Sequence, residues 1–365
     1  MSRHMSDLTI DIQANYTLIS PNVAAVSSSD NHSAVDGVNS PSGISSGNSR
    51  PIIIIALIGV ILVAITIATI LGNVLVCLAA VVNRKLRTVT NFFVVSLAVS
   101  DMLVGLLVLP FSAIYEIQRS WPFGVVLCNI WISMDVLLCT VSILNLFAIS
   151  LDRYIAITRP MRYPSIMTTT KASVALVVIW SVSFLVSFLP IHMGWNTLDG
   201  NIENINDPTN CNFDVSNGTY VLIDGLGTFF LPLIIMLCTY FRIFRIAREQ
   251  AKRISNLPKI DGSNTSRAVD EHKATKTLAV VMGAFTVCWM PYFTLFVMRP
   301  FIFSPGEDVN YDLYSVFLWM GYANSTLNPI VYTVLNQEFR NAFRDLLCHC
   351  VRTKRSQIKR CANEC

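Results

Sequence analysis

Three acidic residues lie inside long apolar stretches of the sequence: Asp101, Asp135 and Asp224. A carboxylate within a membrane span is costly unless it has a partner, so such a residue is by default functional. The run 91–114 around Asp101 contains no Lys or Arg. Its partner must therefore come from elsewhere, as a cation, a proton or polar side chains.

The stretch from Cys128 to Tyr154 carries a carboxylate near each end, Asp135 and Asp152. A helix rises about 1.5 Å per residue, which separates the two acids by roughly 25 Å. That distance nearly spans a hydrocarbon core of about 30 Å. We interpret Asp135 as a site for a cationic ligand on one side of the membrane, and Asp152 with Arg153 as a charged latch on the other.

Further polar residues follow helical spacing around these acids. Asp224 and Thr228 are an i, i+4 pair on one predicted face, although the Thr228 hydroxyl could instead bond to its own helix. Asp135 and Ser142 lie on one stripe of the same predicted helix. Ser142 is the deeper of the two and could reach the layer of Asp101.

The positioning elements are predicted to be membrane spans. The chain has 365 residues, of which 53% are hydrophobic and only 14% charged, whereas soluble domains are about 25% charged. Apolar runs long enough to span a bilayer occur at 52–80, 91–114, 125–151, 172–194, 220–243, 277–300 and 311–335. We therefore expect an all-α membrane protein with a seven-transmembrane helix bundle.

Positive charges predict the orientation of this bundle. Of 27 Lys and Arg residues, only Arg3, Arg50, Arg119 and Arg299 lie on the side of the N terminus. The sequence thus predicts an extracellular N terminus and a cytoplasmic C terminus in the plasma membrane. The basic segments then report topology and contact with anionic lipid, and no nucleic-acid partner is expected.

Composition divides the chain into four predicted parts. Residues 1–50 are rich in Ser and Asn and are predicted to be a disordered extracellular segment. Residues 51–335 are predicted to form the transmembrane core, and 348–365 a cytoplasmic tail. Between them, 336–347 place Phe339 and Phe343 on one face, which predicts a helix lying on the inner leaflet. Within the core, the connection 255–269 is predicted to be a flexible loop.

Several residues are candidates for covalent modification. The predicted extracellular side carries the sequons at Asn15, Asn31 and Asn217. Cys128 and Cys211 lie on the same oxidising side and are the disulfide candidates.

The remaining cysteines differ by location. Cys348 and Cys350 follow the amphipathic stretch, a setting that suits palmitoylation. Those within spans are interpreted as packing residues, namely Cys77, Cys139, Cys238 and Cys288.

Taken in chain order, the motifs resemble those of the rhodopsin-like G-protein-coupled receptors over about 51–350. The matching residues are Gly72-Asn73, LAVSD at 97–101, Cys128 with Cys211, Asp152-Arg153-Tyr154, Trp180, Pro232, Cys288-Trp289-Met290-Pro291 and Asn328-Pro329-Ile330-Val331-Tyr332. Asp135 resembles the acid that pairs with the ligand ammonium in the aminergic branch. Segments such as FLPIHMGWN and LIDGLGTFFLPL resemble the type-2 histamine receptors within that branch.

This resemblance implies a small amine ligand, with histamine first among the candidates. It places the ammonium on Asp135 and the imidazole against Asp224 and Thr228, a carboxylate and a hydroxyl that suit ring N–H and N groups. The same resemblance surrounds the ligand with Trp289, Tyr292, Phe293 and Tyr322, although ordinary packing explains some of these aromatics. A receptor for octopamine, tyramine, serotonin or another β-adrenergic-like amine is the alternative.

The resemblance also implies partners on the cytoplasmic side. These are a heterotrimeric G protein of the stimulatory type acting through cyclic AMP, together with arrestin and receptor kinases. The residues implied in activation and coupling are Asp152, Arg153, Tyr154, Tyr240, Glu271, Pro291, Asn328, Pro329 and Tyr332. No cofactor is expected apart from allosteric Na⁺, for which Asp101, Ser142, Asn324 and Asn328 resemble the family's site. A water network is the alternative for these four residues.

Other classes of membrane protein fit less well. An opsin needs a Schiff-base lysine in the seventh span, and 311–335 contains none. A transporter would show internal repeats and interrupted helices, and no repeat is visible. No HExxH motif occurs and the three acids on separate spans make no clear catalytic pair, so an enzyme is not expected.

Overall fold

The structure is a computed structural model, and it describes residues 51–202, 204, 210–213, 216–255, 262–302 and 310–346. Within these ranges the chain forms seven long helices and no strand. They are α1 (Ile52–Val82), α2 (Val89–Gln118), α3 (Gly124–Thr158), α4 (Thr169–His192), α5 (from Gly218 to Ser255), α6 (Gly262–Ile302) and α7 (Tyr311–Leu335). A shorter helix, α8, covers 337–346. The predicted all-α bundle is confirmed.

Polar side chains mark where several helices begin. Thr88 and Thr168 accept hydrogen bonds from backbone N–H groups in the first turns of α2 and α4. Asn217 and Asn310 do the same for α5 and α7, each with two N–H groups. Such capping satisfies donors that have no partner inside the helix.

Two helices contain a wider, π-helical turn beside a proline. In α2 this turn is Val104–Val108, next to Pro110, and in α5 it is Gly225–Phe230, next to Pro232. Proline lacks an N–H and clashes with the carbonyl four residues earlier. The extra residue in each turn relieves this clash, and it rotates the side chains that follow.

The surface of the bundle is apolar and its interior is partly polar. Among the described residues, six helices are long and apolar enough to cross a membrane. The seventh, α7, carries a polar seam, but its Ser325, Asn328 and Tyr332 are buried. Large side chains such as Ile53 and Leu57 are exposed, whereas Asn73 is fully buried. This distribution suits a multi-pass membrane protein, because lipid does not solvate polar groups.

One expectation about the segment between α5 and α6 is wrong. Helix α6 already begins at Gly262, so much of the loop predicted over 255–269 is helical. No proline follows Pro258 in that segment, and Arg267 and Ala268 favour a helix. In α8, Phe339 and Phe343 are buried and Phe339 stacks on Tyr332 with ring centroids 5.5 Å apart. Phe339 and Phe343 therefore face the bundle, and the short amphipathic helix predicted at this position is confirmed.

Candidate functional site

Asp135 lies on α3 and is held by two donors. The Tyr322 hydroxyl of α7 donates to Oδ2 at 2.7 Å, and the Cys139 thiol donates to Oδ1 at 3.7 Å. No Lys or Arg in the described part of the chain forms an ion pair with it. An ionised carboxylate offers about four acceptor positions, so capacity remains for a cation.

A cavity of about 370 Å³ connects Asp135 with the disulfide-bonded end of the bundle. Asp135 and Tyr322 line its inner part, and the exposed Asn210 and Asn212 line its outer part. The acid is therefore accessible from that end rather than sealed inside the protein. We call this space the outer cavity.

A smaller, inner cavity begins at Asp135 and extends towards α5. It brings together six of the seven predicted ligand residues: Asp135, Asp224, Thr228, Trp289, Tyr292 and Phe293. The seventh, Tyr322, contacts Asp135 directly. Residues from α3, α5, α6 and α7 thus surround one space, although they are distant in the sequence.

Asp224 and Thr228 differ in how their polar atoms are satisfied. The Thr228 hydroxyl donates to the Asp224 carbonyl at 2.7 Å, which is the back-bonded alternative foreseen from the sequence. Asp224 is buried, and its Oδ1 has no hydrogen-bond partner among the described residues. A buried acceptor without a donor costs about 1–3 kcal/mol. This oxygen can therefore accept a donor from a molecule in the cavity.

Aromatic rings form the wall of the inner cavity. Phe293 stacks on Phe229 with centroids 4.0 Å apart and planes at 8°, and it lies 5.8 Å from Trp289. The Tyr292 hydroxyl lies 3.3 Å from the Tyr314 hydroxyl of α7. Ring contacts of this kind hold the wall in one geometry.

Two residues of the site were missed from the sequence. Cys139 was interpreted as packing, but its thiol donates to Asp135 and lines the inner cavity. Its i, i+4 spacing from Asp135 was the available signal. Phe213 lines both cavities and stacks on Phe296 with centroids 6.0 Å apart. It follows Cys211 by two residues, and nothing else in the sequence distinguishes it.

Cys128 and Cys211 form a disulfide with a Cα–Cα distance of 5.7 Å, as predicted. Hydrogen bonds also hold the loop that follows α4: the Tyr115 hydroxyl donates to Asn210 at 2.8 Å. Asn204 donates to Asn129 of α3 at 3.1 Å. The loop is therefore fixed to α2 and α3 beside the outer cavity.

Asp101 is fully buried between α2, α3 and α7. It accepts hydrogen bonds from Ser325 at 2.8 Å and from Asn328 at 2.7 Å. Ser142 is bonded to Ser100, next to Asp101 in the sequence, at 3.0 Å. Asn324 is not among these donors to Asp101 in the described part of the chain, whereas its neighbour Ser325 is.

The atoms around Asp101 fit a hard cation. Carboxylate, hydroxyl and amide oxygens are the ligands that such ions prefer, and the buried Asn324 Oδ1 has no partner among the described residues. The part of the chain that the structure describes holds no cluster of three His, Cys, Asp or Glu side chains. The donor set thus suits Na⁺ better than a transition metal.

At the opposite end of α3, Asp152 is buried and holds Arg153. Arg153 Nη2 and Nε donate to Asp152 Oδ2 at 2.6 and 3.0 Å, and Thr90 donates to the same oxygen at 2.6 Å. The Tyr163 hydroxyl donates to Oδ1 at 2.8 Å. Burial, and then the Asp152 carboxylate, raise the pKa of Tyr163, which keeps this phenol protonated as a donor. Three side chains thereby donate four hydrogen bonds to one acid.

The other predicted activation residues surround this acid only in part. Tyr332 is buried and Tyr240 is half-buried, and the hydroxyls of both are buried with no partner among the described residues. Pro291 and Pro329 lie inside α6 and α7. Tyr154 follows on α3 and is half-buried. Glu271 lies on α6, but its side chain is outside what the structure describes.

The predicted modification sites are mostly outside the described residues, which exclude Asn15, Asn31, Cys348 and Cys350. Asn217 is described. Its Oδ1 accepts from the Thr219 and Tyr220 N–H groups, and its Nδ2 donates to the Trp195 carbonyl at 2.9 Å. This amide therefore contributes to the start of α5.

Comparisons with known proteins agree with this architecture. The sequence matches the family described as 7 transmembrane receptor (rhodopsin family) over residues 72–332. It is 54% identical over 292 residues to the histamine H2 receptor of Cavia porcellus, with 80% of this chain and 79% of that one covered. The histamine H2 receptor of Homo sapiens is 52% identical, with the same shares covered. The D(1C) dopamine receptor of Xenopus laevis is 41% identical over 317 residues, covering 80% of this chain and 68% of that one.

Proposed function

Since the chain belongs to the rhodopsin family of seven-transmembrane receptors, we propose that it is a G-protein-coupled receptor for histamine. The observation that carries this proposal is the pair of carboxylates on one inner cavity, Asp135 and Asp224. The ammonium binds Asp135, where charge-assisted hydrogen bonds are strongest. The imidazole N–H donates to Asp224, whose Oδ1 lacks a partner among the described residues.

The histamine assignment also draws on sequence similarity. Identity is 52–54% to the histamine H2 receptors compared above and 41% to the dopamine receptor. The fifth helix carries Asp224 and Thr228 in the turn where catecholamine receptors usually place serines. A second candidate is another amine receptor, for octopamine, tyramine, serotonin or a catecholamine, and the dopamine relative favours keeping it in the test.

The first experiment identifies the ligand. Cells that lack amine receptors express the full chain, and cyclic AMP and calcium are measured with histamine, octopamine, tyramine, serotonin and dopamine. We expect histamine to act at the lowest concentration and to raise cyclic AMP. A response to another amine at lower concentration than histamine would select the second candidate.

Two variants then test the binding pose. Asp135→Ala should remove amine binding, because losing one partner of a buried charge pair costs about 2–5 kcal/mol. Asp224→Ala should weaken histamine more than it weakens a bulky amine antagonist. Asp199→Ala is the matched control, since this acid lies exposed in the loop after α4. Surface expression of each variant is measured in parallel, and unchanged histamine affinity in either variant rejects the pose.

On the output side, we propose a two-state switch. In the inactive state Arg153 is held by Asp152, and by Glu271 in addition. Agonist contacts on α3, α5 and α6 favour an outward movement of α6 about Pro291. Arg153, Tyr240 and Tyr332 then rearrange, together with Asn328 and Pro329, and open a groove for a G-protein helix.

The orientation and the partners belong to the same proposal. The disulfide-bonded end lies outside the plasma membrane and the Arg153 end in the cytosol, an orientation that the Lys and Arg distribution supports. Signalling proceeds through a stimulatory G protein and cyclic AMP, with arrestin and receptor kinases acting on the cytosolic face. Na⁺ binds at Asp101 as an allosteric ion, and some of the sequons and tail cysteines are modified.

A further inference from the structure

Arg119 joins the end of α2 to the start of α7. Its Nη2 lies 2.9 Å from Glu116 Oε1 and 2.9 Å from Asp312 Oδ1. Its guanidinium carbon lies 3.8 Å from the ring centroid of Tyr311, the first residue of α7. One cation thus bridges an acid on each helix and covers an aromatic ring.

The two acids differ in burial. The Glu116 side chain is 8% exposed and that of Asp312 is 65% exposed. Glu116 also accepts a hydrogen bond from the Ser315 hydroxyl of α7 at 2.5 Å. The contact between α2 and α7 therefore has a buried half at Glu116 and a solvated half at Asp312, and salt screens the solvated half far more.

This cluster lies on the route to Asp135. Glu116, Arg119 and Ser315 line the outer cavity, whose inner part is formed by Asp135 and Tyr322. Ser315 and Tyr322 are seven residues apart, about two helical turns, so they share one face of α7. That face contacts Glu116 at the rim and Asp135 deeper in the bundle.

We propose that Arg119, Glu116 and Asp312 form an ion-pair gate that controls how fast an amine enters and leaves the outer cavity. The proposal rests on the proposed amine binding at Asp135. When the ion pairs are formed, the outer ends of α2 and α7 are held together. When they break, the start of α7 moves away from α2 and the mouth of the cavity widens. In the proposed pose the ammonium binds Asp135 and none of these three residues. The gate therefore changes the rates of amine association and dissociation more than the binding affinity.

The kinetic test compares two variants that change the local charge in opposite directions. Arg119→Ala removes a positive charge and Asp312→Asn removes a negative one, yet both break the gate. We expect association and dissociation of labelled histamine to become about three- to tenfold faster in both variants, with the equilibrium constant changed less than threefold. The double variant should be no faster than either single variant, because both act on one contact.

Two controls separate a gate from simple electrostatic steering. Steering alone would make association faster in Arg119→Ala and slower in Asp312→Asn, and that result would overturn the proposal. Raising the salt concentration should speed dissociation from the unmodified receptor but not from the variants. Asp199→Asn, an exposed acid outside the cluster, should leave both rates unchanged. Equal rates in all proteins would also overturn the gate.

A ligand-free measurement distinguishes failure of the gate from failure of the proposed ligand. The Cys139 thiol lines the inner cavity, and its reaction with a small neutral thiosulfonate can be followed by mass spectrometry, with Cys139→Ser defining the background. We expect labelling to be about three- to tenfold faster in Arg119→Ala and Asp312→Asn. Faster labelling without histamine binding would keep the gate and reject the ligand. Unchanged labelling would reject the gate.

Discussion

At the residue scale, the three intramembrane acids have different partners. Asp135 is bonded to Tyr322 and Cys139 and still faces a cavity. Asp101 is enclosed by Ser325 and Asn328. Asp224 keeps one oxygen without a partner among the described residues. One residue type thus occurs in three environments. The environment of Asp135 suits a ligand ammonium, that of Asp101 suits an ion, and that of Asp224 suits a donor on the ligand ring.

The role of Asp101 can be tested by removing its charge. Asp101→Asn should abolish the effect of Na⁺ on agonist affinity, because a neutral amide attracts a cation much less than a carboxylate does. The measurement is agonist affinity across a NaCl series, with choline chloride maintaining ionic strength. An unaltered response to sodium in this variant would remove the ion site and leave the water network.

At the element scale, close contacts between helices depend on glycines. A Cβ added at Gly321 of α7 would lie 2.6 Å from Trp289 of α6, and one at Gly72 of α1 would lie 2.9 Å from Pro329. Distances this short require a neighbour to move, and the indole of Trp289 is itself packed against Tyr322. The approach of α6 to α7 therefore depends on the absence of a side chain at Gly321.

We predict that Gly321→Ala destabilises the receptor by about 1–3 kcal/mol through overpacking against Trp289. Gly283→Ala is the matched control. That glycine also lies within a helix, but nothing lies within 4 Å of its added Cβ, so the change should be neutral or stabilising by up to about 1 kcal/mol. Thermal unfolding of the solubilised receptors measures both, and equal melting temperatures for the two variants would contradict this account.

At the scale of the whole molecule, the disulfide and the loop hydrogen bonds fix the loop after α4 to one end of the bundle. Cys128 and Cys211 are separated by 83 residues, so their bond joins α3 to a segment beyond α4. Phe213 reaches both cavities from this segment. Loss of the bond would therefore affect both stability and the shape of the ligand site.

Cys128→Ser should lower the free energy of unfolding by about 2–5 kcal/mol, because it releases a long closed loop. It should also reduce surface expression and amine binding, since Phe213 is no longer held. Cys238→Ser provides the control, because that cysteine is free and exposed. The melting temperatures and surface expression of both variants are compared with the unmodified receptor, and a Cys128→Ser receptor as stable as the control would argue against this role.

Several features of the fold could be predicted from the sequence because they are local. A membrane span needs a contiguous apolar run whose backbone bonds are satisfied within the segment, so the seven helices follow from composition and length. Asp135 and Asp224 stand out for the same reason, as charges within such runs. The loop predicted over 255–269 was wrong in its second half, because turn-forming residues bias the backbone only weakly against helix.

The sequence by itself determined that the chain spans the membrane seven times, which family it resembles and which acids require partners. Only the tertiary structure decided which side chains meet those acids. It brought Ser325, the neighbour of Asn324, to donate to Asp101, and it joined Arg119 to Asp312, 193 residues away. It also packed Phe339 against the bundle. The reason is that periodicity specifies the face of a helix, whereas contacts between helices depend on their rotation, depth and distance, which no single segment encodes.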